Sequence, residues 1–336
     1  APAFPDPRTL KLLRRVVRLT AIDTRYSAAL DFQQPADGRP PLYLPAVEQP
    51  HGPGMGARGV AFNEAAGPLV LEALRVFPPR LLARVDTLIT ASCTHASAPG
   101  LERPILTRTP VPAAAHRWNL GFMGCSAALA GLRMIGRMPA NGGQNGDGGV
   151  ALVVACELSS LHFQYSTELD QLTANVLFAD GAAAIVLAPE PSAVRLMDAR
   201  CISAPEQADQ MVWFADDHGL RLQLAPELPE TLAAYLPAAV ESFLGDNGLR
   251  RSDVDHWLVH PGGPQILDRV EGCLELAAGT LELSRSVLRR YGNMSSPTIL
   301  FIFRELIERR VDGLCVALAF GPGLTIEMAL FELRRA

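Results

Sequence analysis

Gly124-Cys125-Ser126-Ala127-Ala128 places one cysteine between a glycine and a run of small residues in the first half of a 336-residue chain. The residues that follow, as far as Arg137, predict a helix that begins at the cysteine. A helix start offers free backbone N–H groups and the positive end of the helix dipole, and both favour a thiolate. The segment is therefore typical of a nucleophilic cysteine, although a buried thiol at a helix start is the common structural alternative.

Two later glycine-containing segments each supply a residue that suits such a nucleophile. They are His260-Pro261-Gly262-Gly263-Pro264 and Tyr291-Gly292-Asn293-Met294-Ser295-Ser296. If His260 lies within hydrogen-bond reach of the thiol, an ion pair is expected to lower the thiol pKa further. The Asn293 amide can supply a second donor to an oxyanion. The structural alternatives are a satisfied core histidine and an asparagine that caps a helix or forms a turn.

The composition excludes several classes of protein. The chain is 49% hydrophobic with a formal net charge of −5, which allows a sizeable core and argues against a nucleic-acid surface. No apolar run reaches the roughly 18 residues that a membrane span needs. The first residues, Ala1-Pro2-Ala3-Phe4-Pro5, lack the pattern of a signal peptide, so none is expected.

The six cysteines lie singly along the chain, without CxxC pairs or zinc-ligand spacing. Several fall in apolar runs, where a thiol usually packs as a small hydrophobic group. This usage predicts a reducing compartment, and we expect a cytoplasmic protein.

Strands and helices alternate in both halves, which predicts helix-covered sheets. Residues 27–59 are predicted to be irregular, with a possible short strand at Leu42-Tyr43-Leu44, and the glycine-rich residues 139–149 to be a surface loop rather than a phosphate loop. Helices are predicted near residues 8–19, 64–76, 125–137, 228–245, 264–276, 282–289 and 297–309. Strands are predicted near residues 85–91, 150–156, 182–188, 195–202, 257–259, 313–319 and 324–333.

With these segments the chain resembles the type III polyketide synthases, the chalcone synthase-like enzymes of the thiolase fold. The histidine and asparagine segments resemble the family's corresponding loops, and Arg25-Tyr26 is similar to the pair after its first long helix. Leu177-Phe178-Ala179-Asp180-Gly181-Ala182 resembles the family's gate segment, and Phe320-Gly321-Pro322-Gly323-Leu324-Thr325 its C-terminal glycine loop. Related ketoacyl synthases of type III usually carry asparagine after the histidine, so Pro-Gly-Gly-Pro favours the polyketide branch.

The resemblance has some departures. Ser126-Ala127-Ala128 follows the cysteine where the family often has glycine or aromatic residues, and the gate segment reads Phe-Ala-Asp rather than Phe-Gly-Asp. The sequence also opens at the first helix, where relatives usually have a preceding strand. These differences are expected to reshape the cavity and leave the three principal residues in place.

The resemblance implies a fold and a division of the chain. The fold is α/β and thiolase-like, with two similar αβ halves that form a layered α-β-α-β-α core. The N-terminal half, residues 1–190, would carry Cys125. The C-terminal half, residues 191–336, would carry His260 and Asn293.

The resemblance also implies an activity. Cys125 would take an acyl group from acyl-CoA, and malonyl-CoA would decarboxylate against His260 and Asn293. The enolate would attack the thioester, and after repeated cycles the product would cyclise to a pyrone, resorcinol or related aromatic. No metal, flavin or nicotinamide cofactor is implied, and a homodimer is expected.

Further residues follow from the same resemblance. Phe178 would be the gate between the CoA tunnel and the cavity, with a core phenylalanine as the alternative, and Asp180 would support its loop. His162 would place a polar, titratable group in the cavity. Arginine pairs well with phosphate, so the helix that carries Arg14, Arg15 and Arg18 would contact CoA, or else present a solvated face. The remaining predicted cavity residues are Cys93, Thr94, Ala174, Trp213, Leu222 and Ser295.

Two rival interpretations remain open at this point. One is a ketosynthase that performs a single extension or takes its acyl group from a carrier protein. The other is a non-catalytic acyl-binding partner subunit, against which the intact set of cysteine, histidine and asparagine argues. The sequence does not identify the starter, the number of extensions or the ring that forms.

Overall fold

Apolar runs at residues 150–156 and 314–320 form one central strand in each of two sheets. The computed structural model describes residues 7–28, 41–44, 48–94, 97–138 and 149–335. In chain order the helices are α1 (Pro7–Leu19), α2 (Met55–Leu74), α3 (Pro79–Leu82), α4 (Glu102–Arg108), α5 (Ala127–Arg137), α6 (Leu169–Leu177), α7 (Leu228–Asp246), α8 (Pro264–Cys273), α9 (Glu282–Tyr291) and α10 (Pro297–Glu308). The strands are β1 (Val85–Ala91), β2 (His116–Leu120), β3 (Val150–Leu158), β4 (Asp180–Leu187), β5 (Val194–Ser203), β6 (Met211–Asp216), β7 (Gly219–Leu224), β8 (His256–Val259), β9 (Gly313–Gly321) and β10 (Thr325–Leu333).

The two large sheets have related arrangements. The first has the order β2-β1-β3-β4, in which β1 is parallel to β2 and β3, while β4 is antiparallel to β3. The second has the order β5-β10-β9-β8, in which β8 is parallel to β9 and the other pairs are antiparallel. The predicted boundary near residue 190 falls between β4 and β5, where the chain passes from the first sheet to the second.

Alternating side chains of the central strands enter different core layers. On β9, Cys315 and Ala317 pack into the central layer with α5 and α10, whereas Val316 and Leu318 pack with α7 and α8. On β3, Val153 faces the central layer and its neighbours on the strand face α2. The layers therefore follow the order helix, sheet, helix, sheet, helix, and the predicted α-β-α-β-α core is confirmed.

The structure corrects several element predictions. The helix predicted from residue 64 begins at Met55, because tertiary packing outweighs the glycines and the proline in its sequence. Leu42-Tyr43-Leu44 is not a strand. The sequence analysis also missed α4, α6, β2 and the β6–β7 hairpin, whose exposed or mixed residues give no clear apolar period. Apart from Gly149, the predicted glycine-rich loop lies outside the described residues.

No helix in the described ranges is both long and apolar enough to cross a membrane.

Candidate active site

Cys125 lies in a single 3-10 turn, Gly124–Ser126, that leads directly into α5. Gly124 has a φ of 60°, and a Cβ atom there would lie 2.6 Å from the Pro322 ring. A Cβ atom on Gly321 would overlap Ser126 Oγ. The C-terminal glycine loop therefore packs against the cysteine turn so closely that only glycine fits on either side.

Asn293 follows α9 and is joined to the gate segment by backbone hydrogen bonds. Its N–H donates to Leu177 O at 3.0 Å, and Ala179 N–H donates to Asn293 O at 2.8 Å. Its side-chain Oδ1 accepts the Ser295 N–H at 2.8 Å and lies 4.0 Å from Cys125 Sγ. Since Oδ1 is occupied by the backbone donor, the Nδ2 hydrogens remain for another acceptor.

His260 directly follows β8, and its N–H extends the ladder to Leu318 O on β9. The residue is only 1% exposed. Both ring nitrogens are buried without a hydrogen-bond partner among the described residues. Buried polar atoms are normally satisfied, so this imidazole is free to bond a group that the site receives.

The surroundings of Cys125 and His260 oppose a thiolate–imidazolium pair, which the sequence analysis made conditional on a hydrogen bond between the two side chains. Burial raises the pKa of Cys125 to about 12, and hydrogen bonds with Ser295 and Asn293 only partly oppose it. Burial also lowers the pKa of His260 to about 3. Desolvation outweighs the helix-start effect because no hydrogen bond joins the two side chains in the described structure. Cys125 is therefore a thiol and His260 a neutral imidazole at neutral pH.

Glu157, at the end of β3, is a buried carboxylate that the sequence analysis missed. It accepts the N–H groups of Cys93 and Thr94 at 3.0 and 3.1 Å, and the Thr94 hydroxyl at 2.7 Å. Ser296 Oγ also donates to it at 3.4 Å, which ties it to the asparagine loop. Burial raises its pKa to about 7 despite these donors. The signal for it was a single charge within the otherwise apolar run of residues 150–158.

A cavity of about 260 Å³ opens beside the gate segment. Five of the predicted residues line it, namely Thr94, His162, Ala174, Phe178 and Trp213. The rings of Phe178 and Trp213 meet edge to face with centroids 5.4 Å apart. The predicted position of Trp213 beside the gate is therefore found in the structure.

Three predicted residues do not line this cavity. Cys93 is buried, and its Sγ accepts the Gly124 N–H at 3.1 Å, so it supports the cysteine turn. Leu222 is buried behind the wall, where Leu220, two residues earlier on the same face of β7, is the lining residue. Ser295 lies in the asparagine loop with a φ of 58°.

His162 is not the titratable group that the sequence predicts. Its Nδ1 accepts the Leu220 N–H at 3.3 Å, and Nε2 lies 3.2 Å from Thr94 O. The donor at Nδ1 assigns the proton to Nε2, which donates to the carbonyl. Burial lowers its pKa to about 4, so the ring is a neutral bridge between the β6–β7 hairpin and the loop after β1.

The remaining predicted residues have simple placements. Arg14, Arg15 and Arg18 are exposed on α1, a helix that packs against α6. Asp180 accepts the backbone N–H of Ala28 and of Ser160, both at 2.7 Å, which fits a supporting role.

Comparison with known proteins places this fold and site in a class. The model of the chalcone and stilbene synthase C-terminal domain matches residues 200–333, and that of the FAE1/type III polyketide synthase-like proteins matches residues 77–200. The alpha-pyrone synthesis polyketide synthase-like Pks18 of Mycobacterium tuberculosis is 29% identical, with 100% of this chain and 86% of that protein covered. The 3,5-dihydroxyphenylacetyl-CoA synthase of Streptomyces toyocaensis is 31% identical, with 78% of this chain and 70% of that protein covered.

Solved structures agree with the sequence relatives. PKS-I from the brown alga Ectocarpus siliculosus superposes with a TM-score of 0.87 at 28% identity, with 98% of this chain and 91% of that chain covered. The 1,3,6,8-tetrahydroxynaphthalene synthase of Streptomyces coelicolor gives a TM-score of 0.82 at 26% identity, with coverage of 99% and 92%.

The fold and the comparisons define a condensing enzyme of the thiolase fold. The chain belongs to the type III polyketide synthases. It is therefore an acyltransferase of a family that uses acyl-CoA and malonyl-CoA, and it condenses them iteratively before the product cyclises.

Proposed function

We propose that Cys125, His260 and Asn293 perform this condensation, with a short or single-ring acyl-CoA as the starter. The observation that carries the proposal is the placement of the Cys125 thiol 4.0 Å from Asn293 Oδ1, together with a buried His260 imidazole whose ring nitrogens have no hydrogen-bond partner among the described residues. His260 pairs with Leu318 on β9, and the end of this strand at Gly321 packs against the cysteine turn, which supports a role for all three residues in one site.

The neutral resting pair sets the order of proton transfers. When a starter thioester binds, the thiol proton of Cys125 passes to His260 as sulfur attacks the carbonyl. The imidazolium then returns the proton to the departing CoA thiolate. The resting site thus avoids the cost of two buried charges and forms them only during reaction.

The same residues then stabilise the extender. A neutral His260 donates one N–H, and Asn293 Nδ2 donates another, to the thioester oxygen of malonyl-CoA. The oxygen becomes negative as carbon dioxide leaves, and the resulting enolate attacks the acyl carbonyl on Cys125. The carbon–sulfur bond then breaks, and the departing Cys125 thiolate takes a proton from solvent. Because two N–H donors stabilise the enolate, we propose that the reaction needs no metal or other cofactor.

The cavity beside the gate segment is lined by Phe178 but not by Cys125, His260 or Asn293, and we propose that it receives the growing product. Its volume of about 260 Å³ lies below the usual range for small-molecule sites. The names of two relatives specify alpha-pyrone synthesis and 3,5-dihydroxyphenylacetyl-CoA. We propose a pyrone or a small phenolic ring as the product of this chain.

The exposed edge of the first sheet supports a homodimer. Among the described residues, β2 pairs with β1 on one side and with no strand on the other. Trp118 on this strand is 52% exposed, and Phe122 just after it is 50% exposed. A second copy that pairs along β2 would cover both rings and the open backbone groups.

The proposal includes a CoA site and a compartment. The exposed arginines of α1, Arg14, Arg15 and Arg18, are proposed to meet CoA phosphates. All six cysteines are free, which supports the proposal of a reducing, cytoplasmic location.

A mass-spectrometric product assay tests the proposed function. The purified chain receives malonyl-CoA with short, aromatic and long acyl-CoA starters, beside Cys125→Ala and the matched control Cys273→Ala. We expect small cyclised products from short or single-ring starters, lost only in Cys125→Ala. Products with long starters alone would contradict the starter class. No product with any CoA would contradict CoA-dependent condensation by these residues, and a parallel reaction with acyl-carrier protein would identify that donor.

A further inference from the structure

Arg25 lies in the segment that follows α1, on the wall of the cavity beside the gate. Among the described residues that line the cavity, it is the only arginine, lysine, aspartate or glutamate. A backbone hydrogen bond attaches this segment to α9, because the N–H of Asp23 donates to Arg289 O at 2.8 Å. Arg25 is thus placed between the first helix and the two loops that carry the gate and the asparagine.

The guanidinium is bonded to the end of α6. Its Nη1 donates to Asn175 O at 2.7 Å and to Phe178 O at 2.8 Å. Asn175 O has no helical partner, because the N–H four residues later, that of Ala179, donates to Asn293 instead. A cation that satisfies two carbonyls at a helix C-terminus forms strong, charge-assisted bonds. These bonds fix the backbone of Phe178.

The aliphatic part of the Arg25 side chain packs closely against Gly292, the residue before Asn293. Gly292 has a φ of 72°, and a Cβ atom there would lie 2.8 Å from Arg25 Cγ and 3.1 Å from Ala179 Cβ. No other residue type fits between the arginine and the gate segment. Arg25 therefore contacts both sides of the backbone bridge that joins Phe178 to Asn293.

We propose that Arg25 is a positioning residue that holds the Phe178 gate and the Asn293 amide in register. The inference rests on the proposed function, since it concerns how accurately that site is built. A shift of about 1 Å in a catalytic geometry commonly costs 10²-fold in rate. A displaced gate admits water and lets the enolate take up a proton, which releases acetyl-CoA instead of extending the chain.

The test measures how much of the decarboxylated malonyl-CoA is released as acetyl-CoA and how much is condensed into product. Isotopically labelled malonyl-CoA is given to Arg25→Gln, Arg25→Lys, Phe178→Ala and the Arg25→Gln/Phe178→Ala double variant. Arg75→Gln, which removes an exposed arginine at the end of α2, is the matched control. Acetyl-CoA and condensed product are quantified for each, together with the melting temperature and the rate at which iodoacetamide alkylates Cys125.

We expect Arg25→Gln to raise the acetyl-CoA released per condensed unit by about tenfold. The acetyl-CoA partition of the double variant is expected to match that of Phe178→Ala, because Arg25 changes this partition through the gate ring and effects that act through one group are not additive. Arg25→Lys keeps the charge, but its ammonium lies on a shorter side chain than the Nη1 atom that bonds both carbonyls, so it should fall between wild type and Arg25→Gln. If Arg25→Gln fails to fold, the lysine variant alone decides the outcome.

Two results would overturn the inference. One is an unchanged partition in a folded variant, and the other is a double variant whose effects add. Failure of the proposed function has a different signature, because the wild-type chain itself would then give no Cys125-dependent product.

Discussion

Cys125 Sγ lies 4.0 Å from Asn293 Oδ1, while the same oxygen accepts the Ser295 N–H at 2.8 Å. The asparagine side chain is thus fixed by its own loop and also accepts a hydrogen bond from the thiol. Burial outweighs this hydrogen bond and raises the pKa of Cys125 to about 12, so the thiol is protonated at neutral pH. The site is arranged to receive a thioester and not to store a charged pair.

Alkylation of Cys125 should therefore be slow at neutral pH and should rise steadily with pH. The thiolate is the reacting form, and its fraction grows about tenfold per pH unit below the pKa. Mass-spectrometric detection of iodoacetamide labelling between pH 6 and 10 checks this, with Cys125→Ser to identify the peptide. A plateau near neutral pH would show a stable thiolate–imidazolium pair instead.

Glu157 should make stability depend on pH. Burial raises its folded pKa to about 7, above the ordinary value of 4.5. The folded state therefore holds the proton more tightly, and stability falls as pH rises from about 4.5 through 7. The loss is at most about 3 kcal/mol.

Comparison of Glu157→Gln with wild type isolates this effect. The substitution itself changes the free energy of unfolding by an amount that does not depend on pH. Beyond that constant difference, Glu157→Gln should become more stable relative to wild type between pH 5 and pH 8, as measured by urea unfolding. The exposed Glu72→Gln is the control and should run parallel to wild type. A constant difference between Glu157→Gln and wild type would show that the carboxylate does not titrate in this range.

Trp213 should limit product length. Its ring lines the cavity in contact with Phe178, so removing its bulk in Trp213→Ala is expected to yield products longer by at least one malonyl unit. Phe214→Ala, on the opposite face of the same strand and outside the cavity lining, is the matched control. An unchanged product length in Trp213→Ala would remove the tryptophan from the determinants of size.

His162 should act as a structural bridge. Its replacement by alanine leaves the Leu220 N–H without an acceptor, which should cost about 1–3 kcal/mol in the free energy of unfolding. His162→Gln retains an acceptor and should recover part of that loss. Because its pKa is about 4, wild-type product ratios should not change through His162 between pH 6 and 9. A change in the ratios near pH 6.5 that disappears in His162→Gln would contradict the neutral bridge.

Sequence alone predicted the parts of the fold whose residues are buried on both sides. The strand at 313–321 contains a continuous apolar run because helices cover both faces, and the strand at 85–91 is buried at every residue but one. The exposed β2 has no such run, and only its neighbours define it as a strand. The three principal residues were visible because glycines mark their loops.

Other features depend on contacts that no local pattern records. The carbonyl partners of Arg25 lie 150 and 153 residues later in the chain. The pKa values of Cys125 and His260 follow mainly from burial. The prediction of a thiolate considered only the helix start and not this burial. The sequence could have indicated Glu157 as a site residue, because a charged side chain in a buried strand needs several hydrogen-bond donors nearby.

The edge strand β2 should be a dimer contact. Trp118 and Phe122 expose about half of their surface beside unpaired backbone groups, an arrangement that monomers usually avoid. Charged residues there would be repelled across a two-fold axis, so Trp118→Glu/Phe122→Glu should shift the chain from dimer to monomer in analytical ultracentrifugation. Val76→Glu, at another exposed apolar residue, should leave the assembly unchanged. A dimer that persists in the double variant would place the interface elsewhere, and a monomeric wild type would contradict the proposed homodimer itself.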